Sequence, residues 1–132
     1  MIVGVDTGFF FALKEKNPTA LKIWEEQEIL TSVIVMYEIE KKLLQGHLRQ
    51  WPTIMEDLSM AVSTVILTED IASNAARIGH KYGLPVLDAL ILASLLDAKV
   101  KHIYTSDSHF QLYTGKDVSI INLAVPRGDA YK

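Results

Sequence analysis

The chain has 132 residues, 49% of them apolar and 22% charged, proportions that belong to one globular domain and exclude a disordered, collagen-like or membrane-spanning chain. Thirteen Lys and Arg against 16 Asp and Glu leave a formal charge of −3. Residues 1–66 hold six basic and nine acidic side chains and the remainder seven of each, so neither half offers the basic excess with which proteins grip a phosphate backbone by bulk charge. Cysteine is absent, which removes disulfides, cysteine–zinc sites and thiol nucleophiles together. His47, His80, His102 and His109 form no HxxxH-like pair, so no zinc site is expected. The N-terminus enters an apolar run without a basic segment or a cleavage site; no signal peptide is expected, and the expected compartment is the cytoplasm.

In chain order, Ile2 to Val5 is a short β-branched run closed by Asp6-Thr7-Gly8, the pattern of a buried strand. Thr7 to Lys14 and Thr19 to Glu26 read as helices, with Pro18 suited to a first turn. Ile29 to Val35 is the second expected strand, running into a helix over Met36 to Leu44 that Gly46 ends. A helix over Pro52 to Val62 and a strand over Ser63 to Leu67 follow. Thr68 suits the cap of a helix reaching about Tyr82, with Gly83 as its stop. Pro85 to Ala98 is apolar nearly all round and therefore packed on several sides. His102 to Thr105 and Val118 to Leu123 supply a fourth and a fifth strand. Strands separated by helices imply parallel pairing, hence an α/β fold with three α/β/α layers around a parallel sheet of about five strands. The expected organisation is a single domain over residues 1–125 and a polar tail over 126–132.

Ligands of an open parallel sheet bind beyond the carboxyl ends of its strands. Asp6 follows the first strand and Asp107 the fourth, Glu38 lies in the first turn expected for the helix after the second strand, and Asp88 opens the apolar helix. Each has an ordinary structural use: Asp6 and Asp88 as helix caps, Asp107 as an Asx-turn residue, Glu38 on a solvated helix face. Their apolar surroundings make a different use more telling. IVGV and FFFAL flank Asp6, PVL and ALILASLL flank Asp88, and no Lys or Arg adjoins Asp6, Asp88 or Asp107. Partly buried like charges need a counter-charge, and hard oxygen ligands without Cys or His select Mg²⁺ or Mn²⁺. Thr7 and Thr105 place hydroxyls beside these acids, as turn residues or as groups that orient a ligand.

The pattern Val3-Gly4-Val5-Asp6-Thr7, Tyr37-Glu38-Ile39, Leu84-Pro85-Val86-Leu87-Asp88-Ala89 and Tyr104-Thr105-Ser106-Asp107 with Phe110 resembles the PIN-domain ribonucleases, and among them the VapC-type toxins of toxin–antitoxin pairs. The resemblance spans about residues 2 to 123. It implies Asp6, Glu38, Asp88 and Asp107 as an acidic quartet, Thr105 as a supporting hydroxyl, Mg²⁺ or Mn²⁺ as cofactor and single-stranded RNA as substrate. Hydrolysis would proceed by in-line attack of water on a phosphodiester, with Asp6, Asp88 and Asp107 as ligands and Glu38 as a ligand or base. A cognate antitoxin and a homodimer are implied partners; the apolar residues of 9–13 or 51–60 could serve an interface, although core packing is their ordinary use. Lys14, Lys16, Lys41, Lys42 and Arg49 could guide RNA. Gly8 stands where many members carry Ser or Asn. Alternatives are a housekeeping PIN nuclease of RNA processing, a receiver-like module, which would want paired acids after the first strand, and a catalytically silent scaffold. Setting the quartet aside leaves 12 acidic against 13 basic residues, so the low net charge permits a metal-centred nuclease.

Overall fold

The computed structural model describes residues 1–123; the tail expected over 126–132 and the end of the 1–125 domain lie outside them. Five strands form one sheet, β1 (Ile2–Val5), β2 (Glu28–Ser32), β3 (Val62–Val65), β4 (His102–Thr105) and β5 (Ser119–Asn122), in the order β3-β2-β1-β4-β5. Every pairing is parallel. Six helices cover it: α1 (Thr7–Lys14), α2 (Pro18–Glu26), α3 (Val33–Leu44), α4 (Ile54–Ala61), α5 (Glu69–Tyr82) and α6 (Val86–Asp97). This is the expected three-layer α/β/α fold. The strand order differs from the 2-1-3-4-5 order of receiver-like folds, which removes the receiver-like alternative.

The chain leaves β1 toward β2 on one side, and β4 lies against β1 on the other. The topological switch point, where open sheets leave a crevice for ligands, therefore falls between the carboxyl ends of β1 and β4. The core runs along both central strands: Val3, Val5 and Ile103 pack with Phe9, Phe10, Ile39, Leu92, Leu95 and Phe110. Helix α6 buries Ala89, Ile91, Leu92, Ala93, Ser94 and Leu95, as an all-apolar helix must.

Several expected boundaries are corrected. The second strand ends at Ser32 rather than Val35, because the Ser32 hydroxyl accepts the Ile34 amide at 3.1 Å and caps α3. Val33 to Val35 then form the first turn of α3, which buries Val35 and Ile39 four residues apart. The third strand covers Val62–Val65 rather than Ser63 to Leu67, since its partner β2 stops where Ser32 meets Val65. Helix α2 starts at Pro18 rather than Thr19, with the Asn17 side chain accepting the Ala20 amide. The fourth helix begins at Ile54 and ends at Ala61, inside the span expected from Pro52 to Val62. The helix expected over Pro85 to Ala98 occupies Val86–Asp97. A 3-10 turn over Ser108–Leu112 was not expected. Thr68 and Gly83 behave as read: the hydroxyl caps α5, and Gly83 closes it in the left-handed region at φ 72°.

Candidate active site

In the β1–β4 pair Val5 lies opposite Tyr104, so Asp6 and Thr105 come level at the carboxyl edge of the sheet. Asp6 is 3% exposed. Its Oδ1 accepts the Phe9 amide at 3.0 Å, capping α1, and its Oδ2 accepts the Thr105 hydroxyl at 2.5 Å. Thr105 Oγ1 in turn accepts the Asp107 amide at 2.8 Å. One buried hydroxyl thus fixes the first acid and the backbone of the last. The end of β1 is held from the other side as well, where Thr31 donates to the Val5 carbonyl at 2.7 Å.

Because α3 starts at Val33, Glu38 is its sixth residue and sits in the second turn, not the first as expected. Its carboxylate accepts a hydrogen bond from the Thr7 hydroxyl, which links α3 to the start of α1. Asp88 is the third residue of α6, and Asp107 caps the 3-10 turn by accepting the His109 amide at 2.8 Å. The structural uses foreseen for Asp6 and Asp107 are therefore real, and they coexist with convergence. Asp6, Thr7, Glu38, Asp88 and Asp107 line one cleft of about 450 Å³, together with Gly8, Lys42 and Ser106. Thr105 stands beneath it, fully buried.

The electrostatics follow from burial without a Lys or Arg ion pair to these acids among the described residues. Burial pushes the Asp6 carboxyl up to about 7, against hydrogen bonds from Thr105 and the Phe9 amide, while Asp107 and Asp88 push it further up. Asp88 is raised to about 6 by burial first, then by Asp107; His109 pulls it down and Glu38 up. Among the described residues, ion pairs to these acids come from His109 alone, whose Nδ1 lies 3.2 Å from Asp88 and 3.0 Å from Asp107.

His109 is the residue that sequence reasoning missed. Its only signal was its place two residues after Asp107, which acquires meaning once the Asp107 cap folds the chain back. The suggested RNA-guiding basic residues are divided by the fold. Lys42 lines the cleft, whereas Lys14 and Lys16 line a separate groove with Trp24 and Trp51, Lys41 lies over the Tyr37 ring and Arg49 lines another hollow. Most of the apolar stripes at 9–13 and 51–60 serve the core, through Phe9, Phe10, Leu13, Ile54 and Leu58. At Gly8 a Cβ would lie 2.3 Å from Ser106 Oγ, so Ser106 takes the space that a side chain at position 8 would need.

The sequence model of the PIN domain matches residues 3–116. The chain belongs to the PIN-domain family. Solved PIN-fold structures similar to it include VapBC2 from Rickettsia felis bound to a DNA fragment from its promoter, with TM-score 0.71 and 14% identity over 92% of this chain and 98% of that one. VapBC-1 from nontypeable Haemophilus influenzae gives TM-score 0.69 and 20% identity over 94% and 99%. VapC20 from Mycobacterium tuberculosis, described as a Sarcin-Ricin loop cleaving toxin, gives TM-score 0.69 and 20% identity over 89% and 98%. Identities this low establish a common fold. No curated protein matches the sequence. Within this PIN domain, no described helix is long and apolar enough to cross a membrane.

Proposed function

We propose that this PIN domain is a divalent-metal-dependent endoribonuclease that hydrolyses phosphodiester bonds of single-stranded RNA, and that it is the toxin of a cytoplasmic toxin–antitoxin pair. The observation that carries the reading is the cleft itself: four carboxylates from four separate segments, Asp6, Glu38, Asp88 and Asp107, with no Lys or Arg ion pair to any of them among the described residues. The donor set fits Mg²⁺ or Mn²⁺, since carboxylate oxygens dominate it and two of the carboxyls are pushed up toward neutrality by burial and mutual repulsion. Asp6, Asp88 and Asp107 would hold the ion, with Glu38 as a further ligand or as the base that orients water. When bound, the cation offsets phosphate charge and makes water a better nucleophile.

The chain's own residues have separable tasks. Thr105 keeps Asp6 and Asp107 in one orientation through its two hydrogen bonds. Thr7 fixes Glu38, and a base held in one rotamer orients water better than a mobile one. Lys42 brings positive charge to the cleft wall, which favours docking of a phosphate without a basic surface. The similar solved structures include toxin–antitoxin complexes, which supports a protein antitoxin as partner, and a homodimer is the assembly proposed.

The test is incubation of purified protein with end-labelled single-stranded RNA and Mg²⁺ or Mn²⁺, beside Asp6→Asn and Asp107→Asn variants. Metal-dependent cleavage by the parent alone is expected. Cleavage that survives EDTA or both substitutions would overturn the assignment, and no cleavage by the parent would favour a silent scaffold. The toxin role is read separately: co-expression with the product of the adjacent gene should yield a complex that silences cleavage, and its absence would favour a housekeeping nuclease.

A further inference from the structure

Resting on the divalent-metal reading of the cleft, we propose that His109 is itself a ligand of the cation, through Nδ1, and that this nitrogen makes the site prefer Mn²⁺ to Mg²⁺. His109 pairs with two acids of the cleft, Asp88 and Asp107, and its side chain is 52% exposed. It is held there locally, since its main-chain amide donates to Asp107 Oδ1 at 2.8 Å and the following Phe110 is fully buried. The turn fixes the backbone at His109, and the pairs with Asp88 and Asp107 set the ring against the acids.

The distances suit shared coordination. Nδ1 is 3.0 Å from Asp107 Oδ1 and 3.2 Å from Asp88 Oδ2, and one donor atom from each of the three residues falls within a 4.8 Å span. Adjacent ligands of an octahedral ion with bonds of about 2.1 Å stand about 3 Å apart, so Nδ1 has the spacing of a vertex next to each of the two carboxylate oxygens. An imidazole placed to bridge two carboxylates differs from an ordinary surface pair in what it adds to a cation. It brings a softer nitrogen donor to an otherwise hard oxygen set, and nitrogen ligands favour transition ions over Mg²⁺. Among the described residues, His47, His80 and His102 do not join this cluster, so a histidine nitrogen at the metal would have to come from His109.

The experiment is Mn²⁺ titration of the full chain followed by electron paramagnetic resonance, with electron spin-echo envelope modulation to detect a directly bound nitrogen, on the parent and on His109→Gln and His109→Ala. Protein labelled with ¹⁵N at histidine assigns the nitrogen. Gln can still hydrogen-bond both carboxylates but supplies no imidazole nitrogen, so it separates ligation from mere positioning. The expected result is histidine-nitrogen modulation in the parent, its loss in both variants, and Mn²⁺ affinity about tenfold weaker with a much smaller change for Mg²⁺. Mn²⁺ binding without histidine modulation would overturn the proposal and leave the carboxylate site standing. Rescue of Mn²⁺ affinity by Gln would also overturn it, and absence of any Mn²⁺ binding would overturn it together with the metal reading.

Discussion

Replacing Asp6 by Asn should stabilise the metal-free protein at neutral and alkaline pH. The Asp6 carboxyl ionises near 3.8 when the chain is unfolded and about 7 when folded. Below pH 3.8 it is neutral in both states and folding is not penalised. Between 3.8 and 7 the unfolded chain ionises while the folded chain holds its proton, so stability falls as pH rises, and above 7 the loss is complete. Three units at 1.36 kcal/mol each set the loss at about 4 kcal/mol. Asn has the same shape, caps helices as well as Asp does and carries no charge to bury. Its amide nitrogen must replace one acceptor oxygen, so a gain of about 2–3 kcal/mol is the realistic expectation at pH 8. The assay is urea denaturation of parent and Asp6→Asn in EDTA at pH 4 and pH 8. The gap should open at pH 8, close or slightly reverse at pH 4, where the hydrogen-bond cost of Asn is no longer offset, and narrow at pH 8 when Mn²⁺ replaces EDTA, because the ion stabilises only the parent's intact site: a concentration of 100 times Kd contributes about 2.7 kcal/mol. An Asn variant less stable than the parent at pH 8, or a gap independent of pH, would refute the account of burial as the dominant influence on Asp6.

Thr105→Val removes the hydroxyl shared by Asp6 and the Asp107 amide; it should cost about 1–3 kcal/mol, read by denaturation, and lower RNA cleavage by more than its stability loss explains at a temperature where both proteins are folded. Lys42→Ala should raise KM for RNA with little change in kcat, and should flatten the dependence of KM on salt, because it removes one positive charge from the cleft wall. Ser32→Ala deletes the cap of α3 and the 3.1 Å contact with Ser94; thermal melts should show a loss of about 1–2 kcal/mol, with metal binding retained.

Asp6 and Asp107 were legible because the rule that found them needs only topology, whereas Glu38 and Asp88 lie on helices and were singled out by their helix-start positions and the family resemblance. Strands alternating with helices announce a parallel sheet, and residues following its strands reach its carboxyl edge whatever the detailed packing. Register was not legible, and it is register that makes Asp6 and Thr105 neighbours. The run from Ile29 to Val35 shows the limit at a boundary: ILTSVIV is β-branched and apolar throughout, so periodicity does not divide it, and the division falls to the single Ser32 hydroxyl. That misplaced boundary moved Glu38 by one helical turn without moving it from the cleft. His109 was invisible for a different reason. Its contacts with Asp88 and Asp107 depend on a turn that Asp107 itself caps, and no spacing typical of metal-binding histidines marks such an arrangement.

Helix termini alone do not hold this acidic cluster together. Asp6 caps α1, Asp88 lies in the first turn of α6 and Asp107 caps the 3-10 turn, so three of the four acids meet the positive end of a helical segment. Each such contact contributes about 0.3–1 kcal/mol, and up to about 2 in a partly buried setting. For Asp6, burial together with repulsion from Asp107 and Asp88 outweighs its two hydrogen bonds by about 4 kcal/mol in the opposite sense. The dipoles and hydrogen bonds therefore orient the carboxylates without neutralising them. His109 offers at most one charge, and it faces Asp88 and Asp107. What remains is a demand for concentrated positive charge at the switch point of the sheet, and a divalent cation meets it with the fewest atoms. The residual instability of the metal-free cleft and its affinity for Mn²⁺ or Mg²⁺ are on this argument the same quantity seen from two sides, so substitutions that relieve the first should weaken the second.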